Sequence, residues 1–146
     1  MAKIVPFLNF AGQAAQAMTL YEKAFGAKVI TKLTYADMNP ADAISKVKDE
    51  HKDFIGYSEI EIGGEIISLY DDSNAAENPM PISGNACVVA LLVHFDSDEE
   101  LSVAFKILSE NGTIITPLFT QTYCSLAADV IDKFGGRWSL MSGYKE

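Results

Sequence analysis

Apolar and polar positions along the chain fall into one pattern that occurs twice: an apolar strand, an amphipathic helix, a glycine, then a β-branched pair. The first copy runs from Phe7-Leu8-Asn9-Phe10 through a helix to Gly26-Ala27-Lys28-Val29-Ile30, the second from Leu92-Val93-His94-Phe95 to Gly112-Thr113-Ile114-Ile115. Each copy then ends in a glycine hairpin and a Ser-Leu strand, Gly63-Gly64-Glu65-Ile66-Ile67-Ser68-Leu69 in one half and Gly135-Gly136-Arg137-Trp138-Ser139-Leu140 in the other. Self-similarity of this kind marks a duplicated half-domain, and a ligand site is expected between the halves.

In the first half, Ile4 to Phe10 reads as a strand and Gly12 opens a helix. Ala14, Ala17, Met18, Tyr21, Ala24 and Phe25 recur at helical spacing, so one helix face packs on a sheet, and Gly26 supplies a left-handed stop. Val29 to Tyr35 is the next strand. Asn39-Pro40 then looks like an N-cap with a proline in the first turn, opening a helical insertion over 39–54 in which Ile44, Val47 and His51 share one side. A solvated surface helix is the plain account of it, and a flap over a site the functional one. From Tyr57 to Ile62 the residues alternate, with Ser58, Ile60 and Ile62 on one face and Tyr57, Glu59 and Glu61 on the other. Gly63-Gly64 makes the turn, and Glu65 to Tyr70 returns.

The stretch from Asp71 to Gly84, rich in Asp, Asn, Pro and Ser, separates the halves. Ala86 to Phe95 is apolar on both faces, which predicts a strand buried on both sides. Ser97 and Glu100 are spaced as a capping box for a helix carrying Leu101, Ala104, Phe105 and Leu108, closed by Gly112. Thr113 to Pro117, Leu126 to Asp132 and Arg137 to Ser142 supply the remaining strands. The expected organisation is a single domain over 1–146: a first βαβββ module over 1–72, a linker over 73–85 and a second module over 86–146.

At 146 residues, 49% hydrophobic and 21% charged, the chain has the composition of one globular domain with a sizeable core. A net charge of −9 would repel a phosphate backbone, so nucleic acid is not an expected partner. The longest apolar run, Ala86 to Val93, is too short to span a bilayer, and the first residues lack a signal-peptide core. No membrane association is expected, and the expected location is the cytoplasm. Cys87, in an apolar strand, and Cys124, in a loop, are too few for a disulfide framework; both read as free thiols. Cys124 would be a nucleophile candidate only with a histidine beside it.

Taken in order, Pro6-Phe7-Leu8-Asn9-Phe10 with Gly12, Tyr21 to Gly26, Glu59-Ile60-Glu61-Ile62-Gly63-Gly64, Thr116-Pro117-Leu118, and Asp132-Lys133-Phe134-Gly135 with Trp138 cover nearly the whole chain. In these segments the chain resembles the vicinal oxygen chelate superfamily of glyoxalases, bleomycin-resistance proteins and dioxygenases, within it the PhnB-like branch. The resemblance implies an α+β fold of two βαβββ modules in tandem, with curved mixed sheets enclosing a cavity, in a homodimer. It further implies, in metal-dependent members, four His, Gln or Glu ligands from the first and last strand of each module. By spacing their equivalents are Pro6, Ser68, Val89 or Ala90, and Ser139, none of them a usual metal ligand. Neither His51 nor His94 falls at such a position, and His94 is expected to be a hydrogen-bonded structural residue. No metal and no cofactor are therefore expected.

Some relatives in this branch carry a ubiquinone methyltransferase label, but Gly12 alone does not make the glycine-rich nucleotide turn that such chemistry needs. If Ser68 and Ser139 face the cavity, strand alternation places Ile66 and Tyr70 with the first, and Arg137 and Met141 with the second. Tyr57 and Glu59 would line the neighbouring strand, and Tyr123 stands where relatives carry a tryptophan, so stacking on a planar ligand is retained. The expected ligand-binding set is Tyr57, Glu59, Ser68, Tyr70, Tyr123, Arg137 and Ser139, although tyrosines and serines in a sheet are more often packing and hydrogen-bonding groups than contacts to ligand. Glu59 is the one general acid-base candidate, on condition of burial beside Tyr57. Serine catalysis lacks both a neighbouring histidine and a Gly-x-Ser-x-Gly elbow.

Three functions follow in order of preference. The first is a metal-free protein binding a small aromatic or cationic molecule. The second is a metal-dependent lyase, isomerase or dioxygenase with a non-standard site recruiting Glu59, Glu61 or His94. The third is a structural dimer with a vestigial pocket.

Overall fold

In the computed structural model, which describes residues 1–41, 47–73, 76 and 89–144, the duplicated pattern becomes two units, Met1–Met80 and Pro81–Glu146. Each unit is a four-stranded mixed sheet with one long helix on one face, the expected βαβββ order twice over. No helix among the described residues is long and apolar enough to cross a membrane.

The first unit comprises β1 (Phe7–Phe10), α1 (Ala14–Phe25), β2 (Lys28–Thr34), β3 (Ile55–Ile62) and β4 (Glu65–Asp71), with single 3₁₀ turns at Tyr35–Asp37 and Asp49–His51. The sheet order is β1-β4-β3-β2, with β1 parallel to β4 and the other pairs antiparallel. The helical spacing read from the sequence is the buried face: Ala14, Ala17, Met18 and Tyr21 lie against Ile60, Ile67 and Leu69 in the core. Burying a side chain as large as Ile60 or Leu69 contributes roughly 1.5–3 kcal/mol. Gly26 ends α1 in the left-handed conformation, φ 67°.

Asp71, 1% exposed, organises the start of this helix. Its Oδ1 accepts hydrogen bonds from the backbone N–H of Gly12 and of Ala14, both at 2.9 Å, and its Oδ2 accepts from Ile55 N at 2.9 Å. Gln13, at the N-cap, makes no side-chain cap, so the free donors of the first turn are met by a carboxylate from β4. The Tyr35 hydroxyl donates to the Asp71 carbonyl at 2.6 Å, and burial pushes that phenol up to about 12.

The second unit comprises β5 (Leu91–Phe95), α2 (Asp98–Ser109), β6 (Thr113–Gln121), β7 (Cys124–Ile131) and β8 (Arg137–Tyr144), in the order β5-β8-β7-β6 with β5 parallel to β8. Leu101, Ala104 and Leu108 of α2 bury against Ala128, Val130, Trp138 and Leu140. Ser97 caps the helix, its hydroxyl accepting from Glu100 N at 3.1 Å. The Ser125 and Ser142 hydroxyls both donate to Asp98 Oδ1 at 2.6 Å, which holds that carboxyl below the usual carboxylate range. At the β7–β8 turn, buried Asp132 accepts from Phe134 N, Gly136 N and the Trp138 indole N–H at 2.8 Å.

Several expectations are corrected. β1 starts at Phe7, not Ile4: Pro6 has no N–H to give, although its carbonyl accepts from Ser68 N at 2.9 Å. β5 starts at Leu91, Val89 is 69% exposed, and Cys87 with the rest of 86–88 lies outside the described residues. β6 continues through Pro117 to Gln121, as the edge of its sheet permits. Cys124 opens β7 and is fully buried, an inert thiol rather than a loop nucleophile. Gly112 lies beyond the end of α2 instead of capping it, where a Cβ would run into the Ile131 carbonyl. In the 39–54 insertion, Asn39 Oδ1 does accept from Ala41 N at 2.9 Å, but Val47 and Lys48 are not helical and Asp49–His51 is a single 3₁₀ turn. Ile44 lies outside the described residues. The far end of the insertion packs on the loop that opens α1: His51 stacks on Phe54 at 4.6 Å, and Phe54 fills the space a side chain on Gly12 would need.

Replacing Asp71 with alanine strands three N–H donors, two of them buried, and is expected to lower the unfolding free energy by about 3 kcal/mol. Asp71→Asn, which keeps the shape and one acceptor oxygen, should lose less. Urea denaturation of the two variants reads both; a change below about 1 kcal/mol in the alanine variant would remove Asp71 from this role.

Candidate functional site

Side chains of residues paired across strands stand on the same face of a sheet, so the register decides what α1 and α2 cover and what they leave open. In the first unit the helix covers the face bearing Ser58, Ile60, Ile67 and Leu69. The open face carries a row across all four strands: Phe7 pairs with Ser68, Ser68 with Glu59, and Glu59 with Thr31. In the second unit the same steps give Leu92 with Ser139, Ser139 with Asp129, and Asp129 with Thr116. An apolar residue, a serine, a carboxylate and a threonine thus recur in that order in both sheets.

Four of the seven residues expected from the sequence share the first of these faces. The Tyr57 hydroxyl donates to Glu59 Oε1 at 2.8 Å, and this bond raises the Tyr57 phenol above its ordinary value, because loss of the proton would set a phenolate against a carboxylate. The Ser68 hydroxyl is also bonded to Tyr57 and pulls the other way. Tyr70, two residues beyond Ser68, meets Phe7 with ring centroids 4.8 Å apart, and burial together with Asp72 raises its phenol as well. Tyr57 is 37% and Phe7 52% exposed in the chain. The apolar enclosure that acid-base work by Glu59 was expected to need is missing: Glu59 is only partly buried and its neighbour is open.

In the second unit, Ser139 donates to Asp129 Oδ1 and Arg137 stands two residues away on the same face, opposite Ile131. Tyr123 is not brought to this row. It lies in the β6–β7 turn, six residues and so about 20 Å of extended chain from Asp129. His94, expected as a hydrogen-bonded structural residue, stands at an exposed position of β5. Because Leu91, Val93 and Phe95 pair with helix-side residues, His94 faces the open side beside Leu92, exposed, with its ring edge-on to Tyr144 at 6.2 Å.

The positions implied for metal ligands are corrected by the same register. The first-strand residue facing Ser68 is Phe7, not Pro6, and the one facing Ser139 is Leu92, not Val89 or Ala90. Phenyl and isobutyl groups have no donor, and serine hydroxyls are neutral and weak, so this set does not fit a divalent cation. Among the described residues, no three His, Cys, Asp or Glu side chains converge on a point that could hold a metal. Phe7, Asp129, Thr31 and Thr116 were missed in the sequence. Alternation held a signal for two of them: Phe7 is out of phase with the core residue Phe10, and Asp129 is the polar interruption of the apolar run Leu126 to Ile131.

Comparison with known proteins agrees with this architecture. The model of the Glyoxalase/Bleomycin resistance protein/Dioxygenase superfamily matches residues 3–140, nearly all of the chain, which therefore belongs to that superfamily. Protein YjdN of Escherichia coli K12 is similar, 27% identical over 143 residues, spanning 92% of this chain and 91% of the relative. Among solved structures, protein PA1353 of Pseudomonas aeruginosa has the same fold at a TM-score of 0.78 and 24% identity, covering 98% of each chain. A PhnB protein of Bacillus cereus superposes at a TM-score of 0.73 and 20% identity, covering 97% of this chain and 100% of its own.

The Tyr57–Glu59 bond has a direct readout. In ring-labelled tyrosine NMR with rising pH, Tyr57 should ionise above an ordinary phenol, and Glu59→Gln should bring it back down. An unchanged Tyr57 midpoint in that variant would show that the bond does not form in solution.

Proposed function

We propose that this member of the glyoxalase/bleomycin resistance protein/dioxygenase superfamily is a metal-free, homodimeric, cytoplasmic protein that binds a small molecule on the open faces of its sheets. The observation that carries this is the repeated row Phe7, Ser68, Glu59, Thr31 and Leu92, Ser139, Asp129, Thr116. Apolar groups stand where the fold's metal chemistry asks for donors, and both row carboxylates already accept hydroxyl hydrogen bonds, from Tyr57 and Ser139. What remains is an apolar wall with a few oriented polar groups, the usual composition of a small-molecule site. The exposed apolar residues on these faces, Phe7, Leu33 and Tyr57 in one unit and Leu92 in the other, support cover by a ligand or a second copy.

After incubation with nickel, zinc or manganese and desalting, elemental analysis should find far less than one ion per chain; tight stoichiometric metal would overturn the metal-free reading in favour of a lyase, isomerase or dioxygenase. In a thermal-shift screen of planar, quinone-like and cationic compounds, a ligand at 100 times its dissociation constant adds ~2.7 kcal/mol of stability. Ser68→Ala and Ser139→Ala should reduce that gain, and silence across the panel would leave only a structural role. Light scattering should give about twice the chain mass of 15.9 kDa; a monomer would refute the dimer.

A further inference from the structure

Resting on that binding function, we infer that the open face of the first sheet is a subsite for an organic cation, an alkylated ammonium group in particular. Three aromatic rings and one carboxylate meet there. Phe7 and Tyr70 are in ring contact at 4.8 Å with a 33° tilt, so they form an angled wall rather than a flat stack. Tyr57 stands on the same face of the adjacent strand: it immediately precedes Ser58, whose partner is Leu69, the residue before Tyr70. Glu59 lies in the row of Ser68 and Phe7, beside this wall.

The electrostatics select the sign of the ligand. Ring faces are negative and attract a cation within about 6 Å, most strongly one whose own hydration is weak. Glu59 adds a full negative charge, held in place at Oε1 by the Tyr57 hydroxyl, while Oε2 has no partner among the described residues. Within this sheet no lysine or arginine is a register partner of Glu59. On the neighbouring β2, Thr31 is opposite Glu59, Lys28 is opposite Glu61, and Lys32 pairs with Ser58, on the helix-covered side. An anionic or purely hydrogen-bonding ligand would meet an unbalanced carboxylate there, and a neutral apolar one would leave it unused. The net charge of −9 favours approach of a cation as well.

The experiment compares choline with its uncharged carbon isostere, 3,3-dimethylbutan-1-ol, by NMR titration of the full chain. Choline is expected to shift the Phe7, Tyr57 and Tyr70 ring signals and to bind at least about fivefold more tightly than the isostere. Glu59→Gln should reduce that preference to within about twofold, whereas Glu22→Gln, the same charge change on the exposed surface of α1, should leave it intact. Equal or tighter binding of the isostere, or a preference that survives Glu59→Gln, overturns the cation subsite while leaving small-molecule binding standing if any compound of the thermal-shift panel perturbs the same rings. Failure of choline, the isostere and the whole panel to bind overturns both.

Discussion

One buried carboxylate determines how the first half of the chain is assembled. Asp71 is the last residue of β4, and its two oxygens hold the loop before α1, the first residue of α1 and the first residue of β3. Its backbone is tied at the same place, with Phe10 as its register partner and the Tyr35 hydroxyl on its carbonyl. A slip of one residue of β4 against both of its neighbours, β1 and β3, would break all of these at once and turn every side chain of β4 to the opposite face. The register so held sets Ser68 between Phe7 and Glu59, so a structural carboxylate at the end of an inner strand decides which residues the sheet displays at its centre.

The two halves reach one display by different means. In the second unit, Asp132 joins the β7–β8 turn to the indole of Trp138, and Asp98 gathers the Ser125 and Ser142 hydroxyls at the start of α2. The buried anchors differ in residue and place, yet both open faces carry an apolar residue, a serine, a carboxylate and a threonine in register. Agreement on the faces the helices leave uncovered, where helix packing does not demand it, is what supports the proposed binding role.

The sequence carried the modules well because their signals are local. Helical spacing at Ala14, Ala17, Met18 and Tyr21, the serine before Glu100, and alternation across Tyr57 to Ile62 each depend on neighbours within a few residues, and the structure shows all of them. Strand ends were less legible, since they depend on partners: Ile4 and Val5 are apolar enough for a strand, but the sheet takes over only at Phe7. The site was half legible. Tyr57, Glu59, Ser68 and Tyr70 emerged from parity along two adjacent strands. Phe7 and Asp129 left a trace in alternation that gains meaning only with the strand pairing, the two threonines depend on pairings across strands that no local pattern records, and Tyr123 was drawn in only by the resemblance to relatives.

The strand position paired with Phe10 is Asp71 in one half, and the equivalent position paired with Phe95 is Ser142 in the other, where the acid sits on the helix as Asp98. Donor and acceptor have exchanged sides. The halves are consequently not interchangeable parts: a recombinant joining the β4 strand to α2 would set the acids of Asp71 and Asp98 against each other, and the reciprocal product would leave the amides of α1 with no anion.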